Sequence, residues 1–189
     1  HYSRDPKPAP APNRLDRQFD PGGPDQAWAG DVTFIPTQQG WLYLAVVVDL
    51  FSRRVIGWAT SDVADTRLVL KASELAFAAR QPTPGLIMHT DQGCQYTSDR
   101  FVAHLAEHGA GQSMSRKGNC WDNAVVERLF HSLKHEWLDE RRLPKEQVQA
   151  DVIDYVAGYY NHQRLHSTLD YLPPAEFERR AAQYSYVVV

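Results

Sequence analysis

Cysteine is scarce in this chain of 189 residues, where only Cys94 and Cys120 occur. Two cysteines cannot build a disulfide framework, and a reducing, intracellular setting is expected. Long apolar runs are missing as well. The longest, Leu42 to Val48, stops at Asp49, far short of the ~20 residues that cross a bilayer as a helix. The polar opening does not read as a signal peptide. Charge of one sign is not in excess either: 20 Lys and Arg face 23 Asp and Glu, a formal net charge of −3. Bulk charge therefore does not advertise a nucleic-acid partner, and such a claim has to rest on local residues. There is no internal repeat, which excludes solenoids and propellers.

What is there is enough hydrophobic residue, 43%, to bury one core and a small appendage. Residues 1–26, rich in Pro and charge, read as a linker or N-terminal extension from a longer protein. Patterning begins at Ala27. AWAGDVTFIP reads as a strand, TQQG as a turn and WLYLAVVVDL as a strand apolar on both faces. RVIGWAT completes an antiparallel meander. Next come a helix capped by Asp65 or Thr66, the strand LIMHT, a helix capped by Ser98 and ended by Gly109, and a short strand near GQSMS. After the polar loop SRKGNCWDN, Asp122 or Asn123 can cap a helix from Ala124 to Leu138, and Pro144 opens another. The expected product is a mixed α/β sheet with helices packed on it. Residues 27–143 form its core and 144–189 a C-terminal helical part of the same domain.

Three acids stand out. Asp31 lies inside an apolar strand, where an unpaired carboxylate costs several kcal/mol unless it is protonated or bound to a metal. Asp91 sits where LIMHT leaves the sheet, a usual ligand position in α/β folds, although it could also cap the turn TDQG. Glu127 falls in the first turn of its helix, where the macrodipole alone would favour an acid. Glu127, His131 and Lys134 share one helical face, and Val126, Phe130, Leu133 and Trp137 another. Three oxygen donors on rigid elements are what a pair of hard Mg²⁺ or Mn²⁺ ions requires.

Thirty-five residues separate Asp91 from Glu127, and this spacing resembles that of the DDE transposase and retroviral-type integrase superfamily. The segments WAGDVTFI, VVVDLFSRRVIGW, HTDQGCQYTS, SMSRKGNCWDNAVVERLFHSLKHE and NHQRLHSTLDYLPPAEFE narrow the resemblance to bacterial insertion-sequence transposases of the insertion-sequence-three family. It covers about Asn13 to Phe177. The resemblance implies a ribonuclease H-like α/β fold, a mixed five-stranded sheet flanked by helices. It also implies an enzyme whose Asp31, Asp91 and Glu127 hold two Mg²⁺ ions, with Mn²⁺ fitting the same set, to cut a DNA strand and join the 3′-hydroxyl elsewhere. Lys134 then matches the family's basic DNA-contacting residue, and Arg128 and His131 on the same helix are further candidates. The implied partners are element ends and target DNA, in a homo-oligomeric assembly with no membrane, in the bacterial cytoplasm at the nucleoid. A simple nuclease of the same fold, and a binding module that has lost its chemistry, are the alternatives.

Other residues are read from their surroundings. Arg116 and Lys117 beside Gly118 suit a DNA backbone, because Gly permits close approach and the cations neutralise phosphate. Trp121 is expected to pack that loop against the sheet rather than stack on a base. His104 and His108, spaced i, i+4, could with Cys94 and Cys120 suggest zinc, but solvent-facing helix histidines are the simpler expectation. His89 reads as a packed strand histidine, Asp49 and Asp62 as turn carboxylates, and Asn161, Arg164 and His166 as a structural or DNA-contacting NxxRxH segment.

Overall fold

In the computed structural model, residues 10–138 and 142–185 are described. The first nine residues of the expected extension lie outside them. Strands β1 (Ala27–Thr37), β2 (Gly40–Asp49) and β3 (Val55–Ser61) make the antiparallel meander. Strands β4 (Ile87–Thr90) and β5 (Gly111–Met114) add to its β1 edge in parallel, giving one five-stranded sheet ordered β3-β2-β1-β4-β5. Parallel addition requires a crossover, and helices α1 (Thr66–Arg80) and α2 (Asp99–Glu107) supply the two connections.

Alternation along β2 explains why both faces are covered. Leu42, Leu44, Val46 and Val48 enter a core closed by α3 (Ala124–Ser132) and α4 (Lys145–Ile153), whereas Ala45 and Val47 enter one closed by α1 and α2. Asp65 caps α1 by accepting the Leu68 N–H at 3.2 Å. The close seat of α1 on β3 depends on Gly57, because a Cβ there would stand 2.2 Å from the Ala72 carbonyl oxygen. The last helix, α5 (Pro174–Ser185), is tied back through Glu178, which accepts from Arg54 at 2.8 Å and from Arg80.

Two helices depart from simple α geometry. α3 continues as a wider π-helical stretch over Leu133–Trp137, and α4 does so over Asp154–Tyr160. The expected helix from Ala124 to Leu138 is therefore present with a change of pitch that the residue pattern does not announce. Pitch changes of this kind cluster at functional sites, and Lys134 lies within the first.

Candidate active site

The parallel pairing of β1 with β4 sets Ala29 opposite His89. Two further steps bring Asp31 level with Asp91, just beyond the last residue of β4. α3 packs on β1 and carries Glu127 in its first turn. The three acids line one open cleft of about 540 Å³ together with Gln92, Lys117 and Asn123.

Crowding of like charge marks this cleft. Burial, then the neighbouring charge of Asp91 and finally that of Glu127 push the Asp31 carboxyl from 3.8 up to about 7, against the Val32 N–H that it accepts at 2.8 Å. Burial also raises Glu127. Asp91 is aimed by the Gly93 N–H, which donates to its Oδ1 at 2.9 Å. A Cβ at Gly93 would lie 2.9 Å from that same oxygen, so a larger residue there would push the carboxylate aside. Among the described residues, no three His, Cys, Asp or Glu side chains close around a single point as a metal cluster. The acids line a groove instead.

The cations sort differently from expectation. Lys117 is exposed on the rim of the acid cleft. Lys134 is half-buried, its Nζ lies 5.0 Å from the centre of the Phe34 ring, and burial lowers its pKa while the charge of Asp31 opposes this. Arg128 and His131 line a separate cleft on another flank of α3. Arg116 is engaged: its Nε and Nη2 donate to Asp122 at 2.9 and 2.8 Å.

Asp122 is accordingly not a helix cap. It is fully buried, accepts the backbone N–H of Arg116 at 3.0 Å, and takes further hydrogen bonds from Arg17 at 2.8 Å and Asn13 at 3.1 Å. The guanidinium of Arg116 above all holds its carboxyl far below the usual carboxylate range. This hub fastens the loop before Glu127 to the segment preceding the sheet.

Two smaller expectations also change. Trp121 is 68% exposed and does not pack the loop down. His104 is buried, its Nε2 3.0 Å from the Ser73 hydroxyl and its ring against Phe77 and Phe101, so it does not face solvent. His89 does pack in the sheet, between the Ser113 and Ser115 hydroxyls at 2.9 and 3.1 Å. Two residues that the sequence did not place in the site stand at it. Tyr96 is buried, and burial, then Asp31 and Asp91, push its phenol well up. Asn123 donates to the Gly30 carbonyl at 3.4 Å, and its buried Oδ1 has no hydrogen-bond partner among the described residues. The signal for Tyr96 was its place five residues beyond Asp91, in the turn that follows the strand.

Comparison with known proteins bears on this arrangement. The Integrase core domain profile matches residues 21–120, and a second profile of that description matches residues 108–174. The chain belongs to the integrase core family. This integrase core is 42% identical over 180 residues to the transposase for insertion sequence element IS904 of Lactococcus lactis, covering 95% of the chain and 71% of that protein. It is 44% identical over 169 residues to the transposase InsF for insertion sequence IS3A of Escherichia coli, covering 89% of the chain but 59% of InsF. Those relatives make it a polynucleotidyl transferase core of the insertion-element transposase kind. Its fold matches the HTLV-2 integrase catalytic core solved with magnesium, at TM-score 0.62 and 19% identity over 82% of this chain and 97% of that one. A simian T-cell lymphotropic virus intasome chain matches at TM-score 0.67 and 19% identity, over 90% of this chain and 58% of that one. The sheet is thus the ribonuclease H-like sheet of the integrases.

Proposed function

We propose that Asp31, Asp91 and Glu127 are the catalytic acids of this integrase core, that they hold two divalent cations, and that the chain cuts one DNA strand at an element end and joins the freed 3′-hydroxyl to target DNA. The observation that carries this reading is the gathering of three acids from β1, β4 and α3 along one cleft in which burial, then like charge, lifts Asp31. The donor set fits the ions: three carboxylates and the unpartnered Asn123 Oδ1 are all hard oxygen donors, with no thiolate among the cleft's lining residues. The magnesium in the HTLV-2 core supports the same choice. When bound, such a pair supplies Lewis acidity to the phosphodiester and to the attacking oxygen.

The remaining work falls to the chain's own side chains. Lys117 neutralises a phosphate at the rim, where Gly118, at φ 72°, lets the backbone approach DNA closely. Lys134, within electrostatic reach of Asp31, sets the DNA backbone beside the acids. Arg128 and His131 contact DNA beyond the cleft, and Arg116, whose Nε and Nη2 are engaged by Asp122, we assign first to positioning the loop. Tyr96, buried behind the acids with its phenol pushed up, stays a neutral group there. We assign the attack to water and then to the 3′-hydroxyl, with no covalent protein–DNA link. Two element ends must meet, so a homo-oligomer acting at the bacterial nucleoid follows from the reading.

The test is joining of a precut 3′-hydroxyl DNA end by the full chain with Mg²⁺ or Mn²⁺. Asp91→Asn and Glu127→Gln should give no joined product while melting as the parent does. Full joining by either variant would overturn the assignment, and release of ends without joining would favour a simple nuclease.

A further inference from the structure

The NxxRxH segment is left unused by the chemistry above, and it forms one wall of a second cleft of about 600 Å³ on another flank of α3. Asn161 only anchors the segment, bridging the backbone N–H and carbonyl of Val55 at 2.9 Å each. His166 and Arg164 point the segment's chemistry elsewhere. The His166 ring stands edge-on to Tyr160 at 5.0 Å, and its Nε2 is buried without a hydrogen-bond partner among the described residues. An orphaned buried nitrogen in a cleft calls for a ligand atom.

The charges around that nitrogen favour an anion. Arg53 is occupied by Asp20, and Arg164 donates to Glu136 at 3.1 and 3.2 Å, so both acids of the cleft are already paired. Arg128 has no ion-pair partner among the described residues. Burial first, then Arg164, Arg53 and Arg128, push the His166 imidazole down to about 4, which leaves it neutral and able to donate from Nε2. At the rim, Asp170 and Tyr171 hold consecutive φ values of 52° and 57°, a conformation that non-glycine residues seldom adopt and that concentrates at functional turns. That turn leaves Tyr171 69% exposed.

We infer that this cleft binds a phosphodiester of a DNA strand, with Arg128 and the His166 Nε2 on the phosphate oxygens and the Tyr171 ring against the adjoining nucleoside. A cation, a neutral donor and an exposed ring together match one nucleotide unit. The strand is placed by α3, whose consecutive residues Glu127 and Arg128 serve the two clefts. The inference rests on the DNA reading above.

Two measurements on the full chain test it. Titration with thymidine 3′,5′-bisphosphate should shift the His166 ring and Arg128 side-chain NMR signals saturably. Arg128→Gln should weaken this at least tenfold, and Asp91→Asn should leave it unchanged. Because Arg128 is exposed, its variant should fold normally. In DNA carrying single neutral methylphosphonates, one position should weaken binding by the parent but not by Arg128→Gln. The salt slope of binding should fall by about 0.9 in that variant. An unmoved His166 signal, an equal shift in Arg128→Gln, or tighter binding of an acidic peptide at the same signals would overturn the inference. The bisphosphate readout is independent of joining, so failure of the strand-transfer reading would be seen separately.

Discussion

Replacing Asp31 by Asn should stabilise the protein while abolishing its chemistry. An ionised Asp31 is opposed by burial, Asp91 and Glu127, so its carboxyl titrates at about 7 in the folded chain against 3.8 when unfolded. Below about pH 4 both states are protonated and nothing is lost; as pH rises to about 7 the unfolded state alone ionises, and stability falls by up to ~4 kcal/mol at ~1.4 kcal/mol per pH unit. Asn carries no charge but still buries an amide, so roughly half of that, about 2 kcal/mol, should appear as a net gain. For a chain of this size, that is a rise of about 4–8 °C in Tm. The assay is calorimetric melting of parent and Asp31→Asn in chelator between about pH 4 and pH 8. The variant should lie about 2 kcal/mol below the parent in acid, where the buried amide replaces a neutral carboxyl, and about 2 kcal/mol above it by neutrality, the two curves crossing between, and Mg²⁺ should raise the parent alone. Parallel curves, or a variant less stable at neutral pH, would refute the crowding argument.

Two further outcomes concern the scaffold. Asp122→Asn should lower the unfolding free energy measured by urea at neutral pH by about 2–3 kcal/mol, through loss of the charged hydrogen bonds from Arg116 and Arg17. Because this carboxyl titrates below its ordinary range, its contribution is present above about pH 4 and fades below it, so parent and variant should converge in acid. Gly57→Ala should lower Tm by about 6–12 °C in scanning fluorimetry, from ~3 kcal/mol of overpacking against Ala72. An unchanged Tm would mean that α1 can retreat from β3 without cost.

The sheet was readable because its strands announce themselves through alternation and through unbroken apolar stretches such as Leu42–Val48. The acids were readable because a carboxylate inside such a strand is costly and the interval from Asp91 to Glu127 is distinctive. Asp122 was misread because its partners Asn13 and Arg17 lie more than a hundred residues earlier, whereas a local pattern offers only the cap. Arg128 parted from its neighbour Glu127 for a simpler reason. Consecutive helical residues point about 100° apart, so the residue next to Glu127 serves a different surface. His104 and Trp121 show the remaining gap, since a helix face and a loop ring acquire burial only once neighbouring elements are placed.

The Asp122 hub also bears on the order in which the molecule assembles. Its contacts to Asn13 and Arg17 close loops of 109 and 105 residues, among the most non-local links in the fold. Such closures carry a high entropic cost until the intervening sheet exists. The loop leading to Glu127 is thus fastened late, after Asp31 and Asp91 already share the sheet. A chain emerging from the ribosome would hold two of its acids side by side before the third is secured, and a truncated product ending before residue 122 would keep the pair without ever completing the set.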